Sequence, residues 1–168
     1  MVEKEKVFSS RINYEGIVNF QEFYKFCYDW LTKQVGLILM ETSYVEKIKG
    51  DAKEISIDWI GEKAITDYFK FEIKIEFRIF GLKTLEIVKD GIKTTTNKGR
   101  VEMQIIGSIV KDYEGKFEKD AIRKFLRSIY EKWIIAPEVQ QYAEDIFLEC
   151  DEFAIQAKSF LDLEGKKV

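Results

Sequence analysis

The sequence contains no histidine, and this absence excludes more chemistry than any motif in the chain supplies. Without imidazole there is no Ser-His-Asp or Cys-His activation of a nucleophile, no ordinary imidazole acid/base, and none of the usual catalytic zinc geometries. Phosphate loops, dinucleotide fingerprints, paired-cysteine knuckles and nucleophile elbows are missing too, since no G-x-G-x-x-G, G-x-x-x-x-G-K, C-x-x-C or G-x-S-x-G occurs. Apolar residues never run to the roughly 20 needed to span a bilayer, and Met1 to Lys6 lacks the apolar stretch of a secretory signal. A soluble cytoplasmic protein is the expectation. The two cysteines, Cys27 and Cys150, each fall on the apolar stripe of an expected helix, where buried thiols are ordinary and a disulfide is the minor alternative.

What the chain does contain is apolar and aromatic material. Of 168 residues 46% are hydrophobic, with 13 Phe, 8 Tyr and 3 Trp, enough for a substantial core in one domain over 1–168. Charges are plentiful but balanced: 27 Lys+Arg against 30 Asp+Glu leave a net −3, which gives no global pull toward nucleic acid or an anionic membrane. Many Lys, Glu and Ile beside few Asn and Gln resemble a heat-adapted composition, although the single proline points the other way.

Periodicity sets the expected elements. Lys6 to Asn13 reads as a first strand, with Tyr14-Glu15-Gly16 turning out of it. A helix follows, capped by Asn19 with Glu22 three residues on, carrying Phe20, Phe23, Tyr24, Cys27, Trp30 and Leu31, and ending at Gly36. Leu37 to Lys49 and Glu54 to Ile60 form a hairpin about Gly50-Asp51. From Phe69 to Ile79, Phe and Ile alternate with Lys, Glu and Arg, predicting a strand about 35 Å long with one face on a core and the other in water. Gly81 interrupts it, Leu82 to Lys89 resumes, and Asp90-Gly91 suits a type I′ turn. Asn97-Lys98-Gly99 reads as a second turn before the alternation of Arg100 to Ile105 and a strand to Lys111. A helix over about 118–135 then presents Ile122, Phe125, Leu126, Ile129, Tyr130 and Trp133. The last helix, from Pro137 to Leu163, is about 40 Å long and carries Val139, Ala143, Ile146, Cys150, Phe153, Ala157 and Phe160 in unbroken 4-3 spacing. The fold class is therefore α+β, a six- to seven-stranded antiparallel sheet with one early helix and two C-terminal helices, the last one long.

This order of strand, helix, antiparallel strands and long terminal helix resembles the helix-grip arrangement of START and Bet v 1-like proteins. The likeness is one of element order. The helix at 118–135 is additional, and the glycine-rich loop of that family has no counterpart beyond Gly50 and Gly61. The resemblance implies an apolar ligand held between sheet and terminal helix, although domains of this fold also include ones that bind only protein.

Several constellations are candidates for function. Trp59, Lys63, Asp67 and Tyr68 gather polar and aromatic groups before the longest strand, where a salt-bridged strand entry is the plainer explanation. Lys70, Glu72, Lys74, Glu76 and Arg78 alternate in sign, as cross-strand ion pairs require. Lys119, Arg123, Lys124 and Arg127 make a basic stripe; Glu144, Asp145, Glu149 and Glu152 make an acidic one, and solvated faces are the default for both. As metal ligands, Asp145, Glu149 and Glu152 share a face but lack histidine partners, so no metal and no cofactor is expected. The stripe of the last helix is expected first to pack on the sheet. Val139, Ala143, Ile146, Phe153 and Phe160 also suit pairing across a subunit interface, and Phe147 and Phe153 suit the wall of an apolar cavity.

The reading that results is a non-enzymatic binding or assembly domain that self-associates through its C-terminal helical region, with itself or another protein as partner. A helix-grip carrier of an apolar small molecule is the alternative. An enzyme built from scattered carboxylates, Lys or Tyr would leave no trace in the sequence, so the question of catalysis stays open, with no catalytic residue assigned.

Overall fold

The computed structural model describes residues 3–115, 121–130, 132 and 136–166. Elements follow in the order β1 (Glu3–Ile17), α1 (Phe20–Asp29), β2 (Ile38–Lys49), β3 (Ala52–Ala64), β4 (Phe69–Lys89), β5 (Ile92–Lys111), α2 (Ala121–Ile129) and α3 (Ala136–Gly165). The strands form one antiparallel sheet in the order β1-β5-β4-β3-β2, so the first and last strands of the chain lie side by side.

Alternation dictates the layering. Phe69, Phe71, Ile73, Ile75, Phe77 and Ile79 are buried on one face of β4, joined by Ile55, Ile57 and Trp59 of β3 and by Val101, Met103 and Ile105 of β5. Each such side chain contributes roughly 1.5–3 kcal/mol of burial. Against this face pack Phe20, Phe23 and Cys27 of α1 and Ile146, Cys150, Phe153, Ala157 and Leu161 of α3. The opposite face of β4 is charged, and its pairs are local: Arg78 with Asp58 at 2.8 Å, Lys70 with Glu62 at 3.1 Å, Lys74 with Glu76 at 3.0 Å, and Glu72 with Lys4. Exposed pairs of this kind each add at most about 1 kcal/mol.

Three local expectations match the backbone. Asn19 caps α1, its side chain accepting from the Glu22 N–H at 3.2 Å. The α1 helix continues as a π-helical turn, Trp30–Gln34, and Gly36 follows at φ +80°. Asp90 and Gly91 both have positive φ, 54° and 77°, as a type I′ turn requires.

The strand count does not match: among the described residues there are five strands, not six or seven. Gly81 and Asn97-Lys98-Gly99 bend their strands without ending them. Pairing is interrupted only between Phe80 and Lys83, and Lys83 opposite Lys98 resumes it. At this bulge Gly99 passes so close to β4 that a Cβ there would stand 3.1 Å from the Leu82 Cα and the Phe80 carbonyl oxygen, so a sequence that looks like a turn is instead a close crossing. Likewise Tyr14-Glu15-Gly16 makes no turn; the three residues stay paired with Val101, Arg100 and Gly99.

Candidate functional site

The cluster Trp59, Lys63, Asp67 and Tyr68 does not form one site. β3 sends Trp59 into the core and Lys63 toward the helices; Asp67 is exposed in the loop between β3 and β4, and Tyr68, the last residue of that loop, is buried. Lys63 donates to the Val35 carbonyl oxygen at 2.9 Å and lies 3.9 Å from Glu149, so its partners come from the end of the π turn and from α3.

Trp59 is the centre of an aromatic group. Its ring meets Phe77 at 4.8 Å, Tyr24 at 4.9 Å and Tyr28 at 6.0 Å, mostly edge to face. The indole N–H and the Tyr24 hydroxyl both donate to the same Glu41 carboxylate oxygen, the former at 3.4 Å. Burial first, and then Glu41, push the Tyr24 phenol up to about 12. A raised folded-state value means that the neutral phenol stabilises the fold below its ordinary 10.0, and that this contribution is lost as pH rises through about 12. Alkaline titration followed by phenolate absorbance should therefore lose a late component in Tyr24→Phe while the raised Tyr14 and Tyr44 phenols remain; an unchanged titration curve in the variant would contradict the assignment.

Beside Lys63 an open cleft of about 260 Å³ lies between the end of β3, the start of β4 and the first half of α3, floored by Phe71 and Ile146 and edged by Tyr142, Asp145 and Glu149. Burial raises the Glu149 pKa, with Asp145 adding to the rise and Lys63 opposing it. Asp145 accepts from Gln141 at 3.0 Å and Glu152 from Gln156 at 2.9 Å, and among the described residues no cluster of carboxylates and thiols has the form of a metal site.

The stripe of α3 meets the protein's own sheet. Ile146 and Phe153 are buried, Val139, Ala143 and Phe160 are half-buried, and Phe160 stacks on Phe26 at 4.9 Å. Ile146 and Phe153 are thus core residues and offer no surface to another subunit. Phe147 is 45% exposed, edge-on to Phe8 at 5.4 Å. Along its middle α3 turns Leu148 and Ile155 outward, with exposed Glu144 and Glu152 beside them and Lys158 and Leu163 exposed further on.

A further apolar surface lies on α2, besides the exposed Ile38, Met40 and Ile48 of edge strand β2. Ile122, Phe125, Leu126 and Ile129, at i, i+3, i+4 and i+7, are 72%, 65%, 50% and 38% exposed. Of the helix Ala121–Ile129 only Arg127 turns inward, its side chain 11% exposed. Arg127 Nε donates to the Tyr68 hydroxyl at 3.0 Å, and the guanidinium stands 3.4 Å from Glu3 and 3.9 Å from the buried carboxylate of Asp112. Asp112, at φ +49°, also donates its N–H to the Tyr68 carbonyl oxygen at 2.8 Å. Tyr130 closes the socket, its ring 5.7 Å from that of Tyr68. Periodicity finds the two faces of this helix but not which one turns inward; Lys119 and Trp133, members of those faces, lie outside the described residues.

Among the described residues no helix is long and apolar enough to cross a membrane. Comparison of the chain with protein-family models, with curated proteins and with solved structures gives no match.

Proposed function

We propose that the chain is a non-enzymatic binding domain that assembles with a second copy of itself through its C-terminal helical region. The observation that carries this reading is the outward apolar face of α2, since an amphipathic helix ordinarily lays such a face on a core. A second copy fits it by charge as well as by polarity. At the edge of the α2 apolar face stands Arg123, with Lys124 on the far side of the helix, whereas the outer stripe of α3, Leu148 and Ile155, is accompanied by Glu144 and Glu152, which would meet Arg123. Packing α2 of each copy on α3 of the other makes a closed two-fold interface that uses both patches twice.

We read the fold as a five-stranded helix-grip arrangement. Supporting this are the pairing of β1 with β5, α1 between the outer strands β1 and β2, and α3 after the last strand. The space that a carrier of this fold would give to an apolar ligand is occupied here by rings: Phe160 lies 5.7 Å from Phe23, which lies 6.2 Å from Phe77. That packing favours assembly over transport of a small molecule.

Native mass spectrometry tests the proposal. The expected spectrum is a homodimer of bare chains, reduced to monomer by Phe125→Glu with thermal unfolding almost unchanged, because Phe125 is 65% exposed. A monomeric native protein, or a variant that still dimerises, would defeat it; a monomer carrying an apolar adduct would support the carrier instead.

A further inference from the structure

Helices settle with their apolar side inward unless something holds them otherwise, and Arg127, the α2 side chain that turns inward, is the candidate for that restraint. At 100° per residue, Ile122, Phe125, Leu126 and Ile129 centre on one direction, and Arg127 projects roughly 150° away from it. Seating Arg127 in the socket of Tyr68, Asp112 and Glu3 therefore turns the apolar face to solvent. The three socket groups are the residue just before β4, the residue just after β5 and the first residue of β1, so the guanidinium binds at the end of the sheet.

We infer that Arg127 is the positioning residue of the assembly surface: docked in the Tyr68–Asp112–Glu3 socket, it fixes the roll of α2 and so decides whether the apolar face is presented to a second copy. This inference rests on the assembly reading for its consequence, but the latch is a property of the single chain. Tyr68 suits the role because its ring is anchored edge-on to Phe69 at 4.8 Å, leaving the hydroxyl at a fixed place for Arg127 Nε. Asp112 suits it because its carboxylate is only 2% exposed, so a guanidinium beside it is weakly screened by salt. Once the latch is removed, the apolar face is free to roll toward the molecule's own surface, and the docking patch disappears without loss of the sheet.

Three variants test this: Arg127→Ala, Arg127→Lys and Tyr68→Phe, the last keeping the ring that packs on Phe69. Two readouts are taken, the dimer dissociation constant and amide hydrogen exchange over Ala121–Ile129. Arg127→Ala is expected to weaken the dimer about tenfold or more and to speed α2 exchange, while exchange of the β4 and β5 amides stays as in the native protein. Tyr68→Phe should shift both readouts the same way by less, and Arg127→Lys should restore part of the loss. Unchanged α2 exchange and dimerisation in Arg127→Ala would overturn the latch. A native protein that is monomeric throughout would overturn the assembly reading alone, since slow α2 exchange that is lost in Arg127→Ala would still establish the latch.

Discussion

Replacing Phe153 with glutamate is expected to leave the protein unfolded, with loss of the cooperative thermal transition and of the fixed environment of Trp59. Phe153 has no exposed surface and lies on the face of α3 that meets the sheet, among Ile146, Cys150 and Ala157. Truncating a fully buried phenylalanine to alanine costs about 3–5 kcal/mol. Glutamate adds the penalty of an unpaired buried carboxylate, and the whole stability of a domain is only about 5–15 kcal/mol. Circular dichroism and unfolding by urea would report the result. A Phe153→Glu protein that melts cooperatively near the native temperature would mean that α3 does not pack as described. The same burial removes Phe153 as a probe of assembly, a task that falls to the exposed Phe125.

Gly107→Ala should also damage the seat of α3, and in a way that a second substitution repairs. A Cβ at Gly107 would stand 2.5 Å from the Cys150 Sγ, closer than any real contact, with the Phe8 Cβ at 3.4 Å and the Ile146 Cγ2 at 3.5 Å. The sheet has a dimple at this position of β5 and the thiol of α3 fills it. Overpacking of this kind costs about 1–3 kcal/mol, or roughly 2–10 °C in melting temperature for a chain of this size. Cys150→Ala alone is mildly destabilising because it leaves the dimple empty. Together the two changes restore the fit, so the double variant should be more stable than the sum of the single losses predicts. Strict additivity would show that the glycine and the thiol do not oppose each other.

The parts of this architecture legible in the sequence are those where one residue type has one structural use. Alternation from Phe69 to Ile79 gave the central strand and its two faces, because period two has no other regular solution. Asp90-Gly91 and Asn19 likewise announced a turn and a cap. Misreadings arose where one residue serves two purposes. Gly99 reads as a turn signal, but its lack of a side chain serves a close crossing at Leu82. Lys63 and Asp67 are near in sequence, but the lysine finds its partners on Val35 and α3, which no local spacing encodes. The candidate interface was legible only as a region. An amphipathic helix announces two faces, and which one turns inward depends on Tyr68, Asp112 and Glu3, far away along the chain. The outward stripe of α3 was hidden for the opposite reason, since Leu148 and Ile155 are sparse beside the dense inward one.

The neighbouring places of β1 and β5 also govern the order in which the molecule is made. Glu3 pairs with Lys111, so β1, made before the other described strands, pairs with β5, which is made after them. The hairpins β2–β3 and β4–β5 close through tight turns and assemble as soon as they emerge. β1 must wait, solvated, until β5 has left the exit tunnel, and α3 cannot dock before then either. Contacts this distant in sequence carry a large loop-closure entropy and slow the search for the native state. During synthesis the unpaired β1 is consequently the segment that a chaperone would have most reason to guard.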